Sequence, residues 1–118
     1  MSETAEMFFI SYASNDRLRV EPVWRRLQQD FPGVKFWFDV QELLPGQDWD
    51  LEIQKARDRS NGMILFLSNT SLNKEGYVQR EFKWAMRRME EMPEGHSFLF
   101  PVRLEPCEMP YQMRQWKA

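Results

Sequence analysis

Short apolar runs alternate with helical patterns along this chain. Met7-Phe8-Phe9-Ile10 has no polar alternation, so it reads as a strand buried on both faces. From Arg17 to Asp30, Val20, Val23, Trp24 and Leu27 recur at helical spacing and predict a helix with one apolar stripe. Ser14 or Asn15 can cap its start, and Pro32-Gly33 ends it. Val34 to Phe38 reads as a second strand. Val34, Phe36 and Phe38 alternate there with Lys35 and Trp37, which places the strand half-exposed near a sheet edge. A loop from Asp39 to Gln47 leads to a helix over Asp48–Arg59, with Trp49, Ile53 and Ala56 on one face. Met63 to Leu67 is a third, continuously apolar strand, and Ser68 to Gly76 reads as a polar loop. A helix from about Tyr77 to Glu91 carries the core stripe Val78, Phe82, Ala85 and Met89. Phe98 to Val102 is the fourth strand, where Pro101 removes a ladder donor and predicts a bulge or incomplete pairing.

This alternation predicts an α/β fold with a parallel sheet and helices on both faces. Buried first and third strands beside an exposed second fit the flavodoxin-like order 2-1-3-4. No fifth strand is visible between Arg103 and Ala118, so the fifth edge strand is expected to be missing or truncated. The 118 residues fit one domain, expected to be the N-terminal part of a larger protein.

Composition narrows the chemistry. The formal net charge is -2 with both signs interspersed, which favours neither nucleic acid nor an anionic membrane as partner. Cys107 is the only cysteine and His96 the only histidine, so an intrachain disulfide, a cysteine zinc site, a histidine metal site and a Ser-His-Asp triad are all set aside. Met1 to Glu6 has neither a basic nor an apolar signal-peptide region, and the apolar runs are too short to span a bilayer. A cytoplasmic protein is expected.

In a 2-1-3-4 sheet, ligands bind where the strand order reverses, outside the carboxyl ends of strands one and three. The rims there are Ser11 to Asp16 and Ser68 to Ser71, rich in hydroxyls and leading into helix N-termini that suit phosphate. Ser14, Asn15 and Thr70 fit plain capping equally well. The third long helix starts beside this crevice. Its Glu81 has Tyr77 four residues before and Trp84 three after, both neighbours on the helix surface. By pattern alone Glu81 also fits a surface glutamate near Arg80 and Lys83.

Several segments then resemble, in order, one family: the Toll/interleukin-1 receptor (TIR) domains, in particular the NAD+-cleaving bacterial type. Phe8-Phe9-Ile10-Ser11-Tyr12-Ala13-Ser14-Asn15-Asp16 is similar to the family's first strand and loop, and Phe36-Trp37-Phe38-Asp39 to its second strand. Leu43-Leu44-Pro45-Gly46 resembles its BB loop, and Leu67-Ser68-Asn69-Thr70-Ser71 the exit of its third strand. Gly76-Tyr77-Val78-Gln79-Arg80-Glu81-Phe82 resembles the start of its αC helix, and Pro101-Val102-Arg103-Leu104 its fourth strand. One departure is that Tyr77 stands where bacterial members often carry Trp in Trp-x-x-x-Glu.

The resemblance implies an enzyme that cleaves the nicotinamide–ribose bond of NAD+, giving ADP-ribose or a cyclic form. It implies Glu81 as the catalytic carboxylate and NAD+ as substrate, with no cofactor and no metal. Tyr12, Ala13, Ser14 and Asp16, with Ser68 and Ser71, would line the phosphate and ribose side, and Tyr77 and Trp84 would flank Glu81. Phe38 fits either core packing or the nicotinamide side. Leu43 and Leu44 fit either that side or the homotypic BB-loop contact through which family members self-associate. Glu81 fits electrostatic stabilisation, binding of ribose hydroxyls or transient covalent catalysis. An absent sensor domain and a role in immune signalling, anti-phage defence or cell death follow from the same resemblance. The alternative is a non-enzymatic TIR–TIR adaptor. A response-regulator receiver lacks its acidic pair here, and a deoxyribosyltransferase, which shares the glutamate chemistry, lacks the BB-loop match.

Overall fold

The computed structural model describes residues 6–38, 45–46, 48–93, 97–110 and 113. Their apolar runs become strands β1 (Glu6–Ser11), β2 (Val34–Trp37), β3 (Gly62–Leu67) and β4 (Leu99–Arg103). Between them lie α1 (Arg17–Asp30), α2 (Trp49–Arg59), a short α3 (Asn69–Asn73) and α4 (Tyr77–Glu90). The four strands form one sheet in the order β2-β1-β3-β4, every pair parallel. All of β3 is buried, as a central strand covered on both faces requires.

Side-chain alternation splits the core into two layers. Ile10, Phe36, Phe38, Ile64 and Phe66 pack with Val20 and Trp24 of α1. Phe9, Trp37, Met63, Leu65 and Leu67 pack with Ala56 of α2 and Val78, Phe82 and Ala85 of α4. The Trp24 indole N–H donates to the Phe36 carbonyl at 2.7 Å, which ties α1 to β2. Gly62 opens β3 where a Cβ would lie 2.6 Å from the Phe8 ring and 3.2 Å from the Phe98 carbonyl oxygen, so a larger residue would force the Phe8 ring to move. Among the described residues, no helix is long and apolar enough to cross a membrane.

The structure corrects several expectations. Trp37 is buried, with its ring stacked on Phe9 at 5.3 Å; although β2 is an edge strand, both its faces are covered. Trp49 does not share the inward face of Ile53 and Ala56 but is 57% exposed at the first turn of α2. The polar segment after β3 contains α3, started by a capping box in which Ser68 and Ser71 exchange side-chain and backbone hydrogen bonds. Neither Ser14 nor Asn15 caps α1; both lie in a 3-10 turn, and Asp16 holds the N-cap position without a side-chain capping bond. Pro101 makes no bulge, because the register with β3 runs unbroken from Leu99 to Arg103 and an edge strand has only one neighbour to pair.

Candidate functional site

β1 ends at Ser11, with β2 on one side and β3 on the other, so its carboxyl end opens at the point where the strand order reverses. α4 begins close by. Gly76 occupies its N-cap at φ 72, a left-handed conformation that glycine adopts without the Cβ penalty. From that start, Val78, Phe82 and Ala85 face the core, and Tyr77, Glu81 and Trp84 fall on an adjoining stripe.

The Glu81 side chain points inward and is 14% exposed. Its Oε1 accepts from Ser11 Oγ at 2.9 Å and from Arg57 Nη2 at 3.0 Å. Ser11 Oγ also lies 2.8 Å from the Tyr77 hydroxyl. Because the one Ser11 proton goes to the carboxylate, the Tyr77 hydroxyl is the donor in that second bond. A relay therefore runs from Tyr77 through Ser11 to Glu81. Oε2 takes no hydrogen bond among the described residues.

Arg57 reaches this carboxylate from α2. Its guanidinium lies 4.5 Å from the centre of the Trp84 ring and 5.7 Å from that of Phe9. Cation–π contact with two rings holds it in place. Ser11, Tyr12, Ile53, Arg57, Tyr77 and Glu81 line a cavity of about 190 Å³. A carboxylate on such a wall, largely withdrawn from water, can accept hydrogen bonds from a sugar, stabilise a developing cation or attack one.

Beside this cavity two loops are clamped together. The Ser68 hydroxyl donates a short hydrogen bond to the buried Asp16 carboxylate, whose other oxygen is 3.4 Å from Arg19 Nη1. Arg19 also pairs with Glu105 at 2.8 Å, and Glu105 accepts the Asn69 backbone N–H at 2.8 Å. That N–H, followed by the Arg19 guanidinium, holds the Glu105 carboxyl below the usual carboxylate range. Ser14, Asn15, Thr70, Asn73 and Lys74 line an open cleft of about 530 Å³ over this clamp. Ser14 and Asn15 make no side-chain hydrogen bond among the described residues, so both are available to a ligand.

The structure therefore gathers Tyr12, Tyr77 and Glu81 at one cavity, with Trp84 behind Arg57, and Ser14 at the neighbouring cleft. Other expected site residues are turned to scaffolding. Ala13 is buried, Asp16 is held by Ser68 and Arg19, and Ser68 and Ser71 spend their hydroxyls within the clamp and capping box. Phe38 is fully buried in the α1-side layer, with its ring against those of Trp24 and Tyr12. Leu43 and Leu44 lie outside the described residues; beside them Pro45 and Gly46 form a turn with Gly46 at φ 87. Sequence reasoning placed Ser11 on the crevice rim without pairing it with Glu81, and did not single out Arg57. Ser11 carried a faint signal as a hydroxyl at the end of an apolar strand; Arg57 carried none.

The TIR domain family model matches residues 8–117. The chain belongs to the TIR domain family. Its fold is also that of a solved TIR domain, from the Toll-related receptor TRR-2 of Hydra magnipapillata, with a TM-score of 0.69 at 20% identity. That match covers 93% of this TIR domain and 79% of the Hydra chain. No curated protein matches this TIR domain.

Proposed function

We propose that this TIR domain hydrolyses NAD+ at the nicotinamide–ribose bond, with Glu81 as the catalytic residue. The observation that carries the reading is an inward-facing carboxylate at the sheet's reversal point, oriented by Ser11 and flanked by a cavity. Nicotinamide leaves NAD+ as a neutral molecule, taking the bonding pair, so no general acid is required. The ribose is left as an oxocarbenium ion, which a carboxylate at close range stabilises. Water then bonds to the anomeric carbon and releases one proton, giving ADP-ribose. A ribose hydroxyl in place of water, as attacking group, would give a cyclic product.

A cavity of about 190 Å³ takes one ring or sugar, well below the about 300–1,000 Å³ of whole-ligand sites. The dinucleotide must extend beyond it, and the open cleft at Ser14, Asn15, Thr70 and Lys74 offers its diphosphate a polar, cationic wall. On this reading, homotypic association runs through the BB loop, Leu43 to Gly46. The setting such an activity fits is NAD+ depletion in the cytoplasm during anti-phage or cell-death signalling, triggered by a sensor domain.

One observation favours a second reading, a TIR–TIR interaction module without turnover. Arg57 already neutralises Glu81 at 3.0 Å, as a purely structural ion pair would. Artificially clustered protein separates the two. Release of nicotinamide from NAD+, abolished by Glu81→Gln, is the expected result. No release by the clustered wild type favours the interaction module, and equal release by Glu81→Gln removes Glu81 from the mechanism.

A further inference from the structure

On the other side of the Arg57–Glu81 pair lies a second cleft, of about 310 Å³, lined by Arg57, Arg80, Glu81, Lys83, Trp84 and Arg87. It shares only Arg57 and Glu81 with the Ser11–Tyr77 cavity, so that ion pair is the wall between the two. Arg80, Lys83 and Arg87 are spaced three and four residues apart, and therefore stand in one row along α4. All three are exposed, and none has a carboxylate partner among the described residues. Arg57 adds a fourth cation, and its Nε is buried without a hydrogen-bond partner.

A solvated helix face ordinarily intersperses opposite charges. Here four cations meet one carboxylate, in a chain whose net charge is -2. Their mutual repulsion, in a partly enclosed cleft, is relieved by an anion. The excess of positive charge fits a diphosphate better than a carboxylate, and arginine forks bind phosphate oxygens two at a time. The cleft's size is at the small end for ligand sites. It takes a diphosphate with little more, not a nucleic-acid strand, which would need a basic track well beyond one cleft.

We propose that this α4 cleft is a diphosphate-binding site, formed by Arg57, Arg80, Lys83 and Arg87 and separated from the Ser11–Tyr77 cavity by the Arg57–Glu81 pair. The diphosphate comes either from the dinucleotide substrate or from a separate nucleotide. The site stands whether or not the chain turns over NAD+, because its test reads binding alone.

The test is calorimetric titration of the whole chain with inorganic pyrophosphate. Saturable binding that weakens with salt is expected. Lys83→Gln and Arg87→Gln, both at exposed positions that leave the fold intact, should each lower affinity about tenfold, the effect of one charge-assisted hydrogen bond. Arg26→Gln, at an exposed position of α1 on the other face of the sheet, should leave affinity unchanged. Displacement of pyrophosphate by NAD+ moves the substrate's diphosphate from the Ser14–Lys74 cleft to this one; simultaneous binding assigns the site to a separate nucleotide, and either result supports the site. Absence of binding, salt-insensitive binding, or binding kept unchanged in Lys83→Gln and Arg87→Gln overturns the proposal.

Discussion

At the scale of single residues, the behaviour of Glu81 depends on groups far away in sequence. Ser11, which donates to its Oε1, is 70 residues distant, and Arg57 is 24 residues distant. Tyr77 and Trp84 were legible beforehand, because helical spacing alone makes them neighbours of Glu81. Ser11 and Arg57 were not, because their roles exist only once β1 and α2 have packed against α4. A hydrogen bond to a charged group contributes about 1.5–3 kcal/mol. Ser11→Ala is therefore expected to lower nicotinamide release by about 10- to 100-fold, with cooperative unfolding kept and its midpoint lowered by several degrees. Tyr77→Phe keeps the ring and removes the hydroxyl that donates to Ser11, so about 2- to 10-fold is expected. Steady-state rates of clustered protein check both, and a larger loss in Tyr77→Phe than in Ser11→Ala would contradict the relay.

At the scale of elements, local pattern and local chemistry diverge in instructive places. Pro22 lies inside α1, where it removes one backbone donor in mid-helix. It is exposed, so nothing in the core requires it. Pro22→Ala is expected to stabilise the fold by about 1–3 kcal/mol, raising the thermal midpoint by several degrees; a lowered midpoint would refute this. α3 escaped the sequence reading because five residues are too few for a periodic signal, and its start depends on two serines capping each other. The clamp beside it is sensitive to acid. Glu105 titrates lower in the folded chain than its unfolded value, so its contribution is present above that value, about 4.3, and is lost as pH falls through the folded one. Glu105→Gln should flatten the part of the acid-unfolding curve below that value, as circular dichroism would record.

At the scale of the whole molecule, the two faces of the sheet are covered unequally. α2 and α4 cover one face, and only α1 covers the other among the described residues. An apolar groove of about 560 Å³ remains there, lined by Phe8, Phe31, Phe36, Phe100 and Val102 among others. Phe31 and Phe100 stay 52% and 40% exposed. Contiguous apolar surface of this kind takes up apolar solutes. The native chain is expected to enhance the fluorescence of an environment-sensitive apolar dye, and Val102→Lys should cut that signal at least about twofold without unfolding the chain. An unchanged signal would place the dye elsewhere.

The sequence by itself determined the alternation of strands and helices, the parallel order 2-1-3-4 and the position of Glu81 at the start of α4. Those follow from short-range causes: continuous apolar runs mark doubly covered strands, and a period near 3.6 marks a helix. Only the tertiary structure decided that Trp37 is buried, that Asp16 and Ser68 lock two loops, and that Arg57 stands against Glu81. Burial and ion pairing depend on which surfaces meet across the sheet, and no local pattern along the chain encodes which distant side chain will complete a charge or cover a ring.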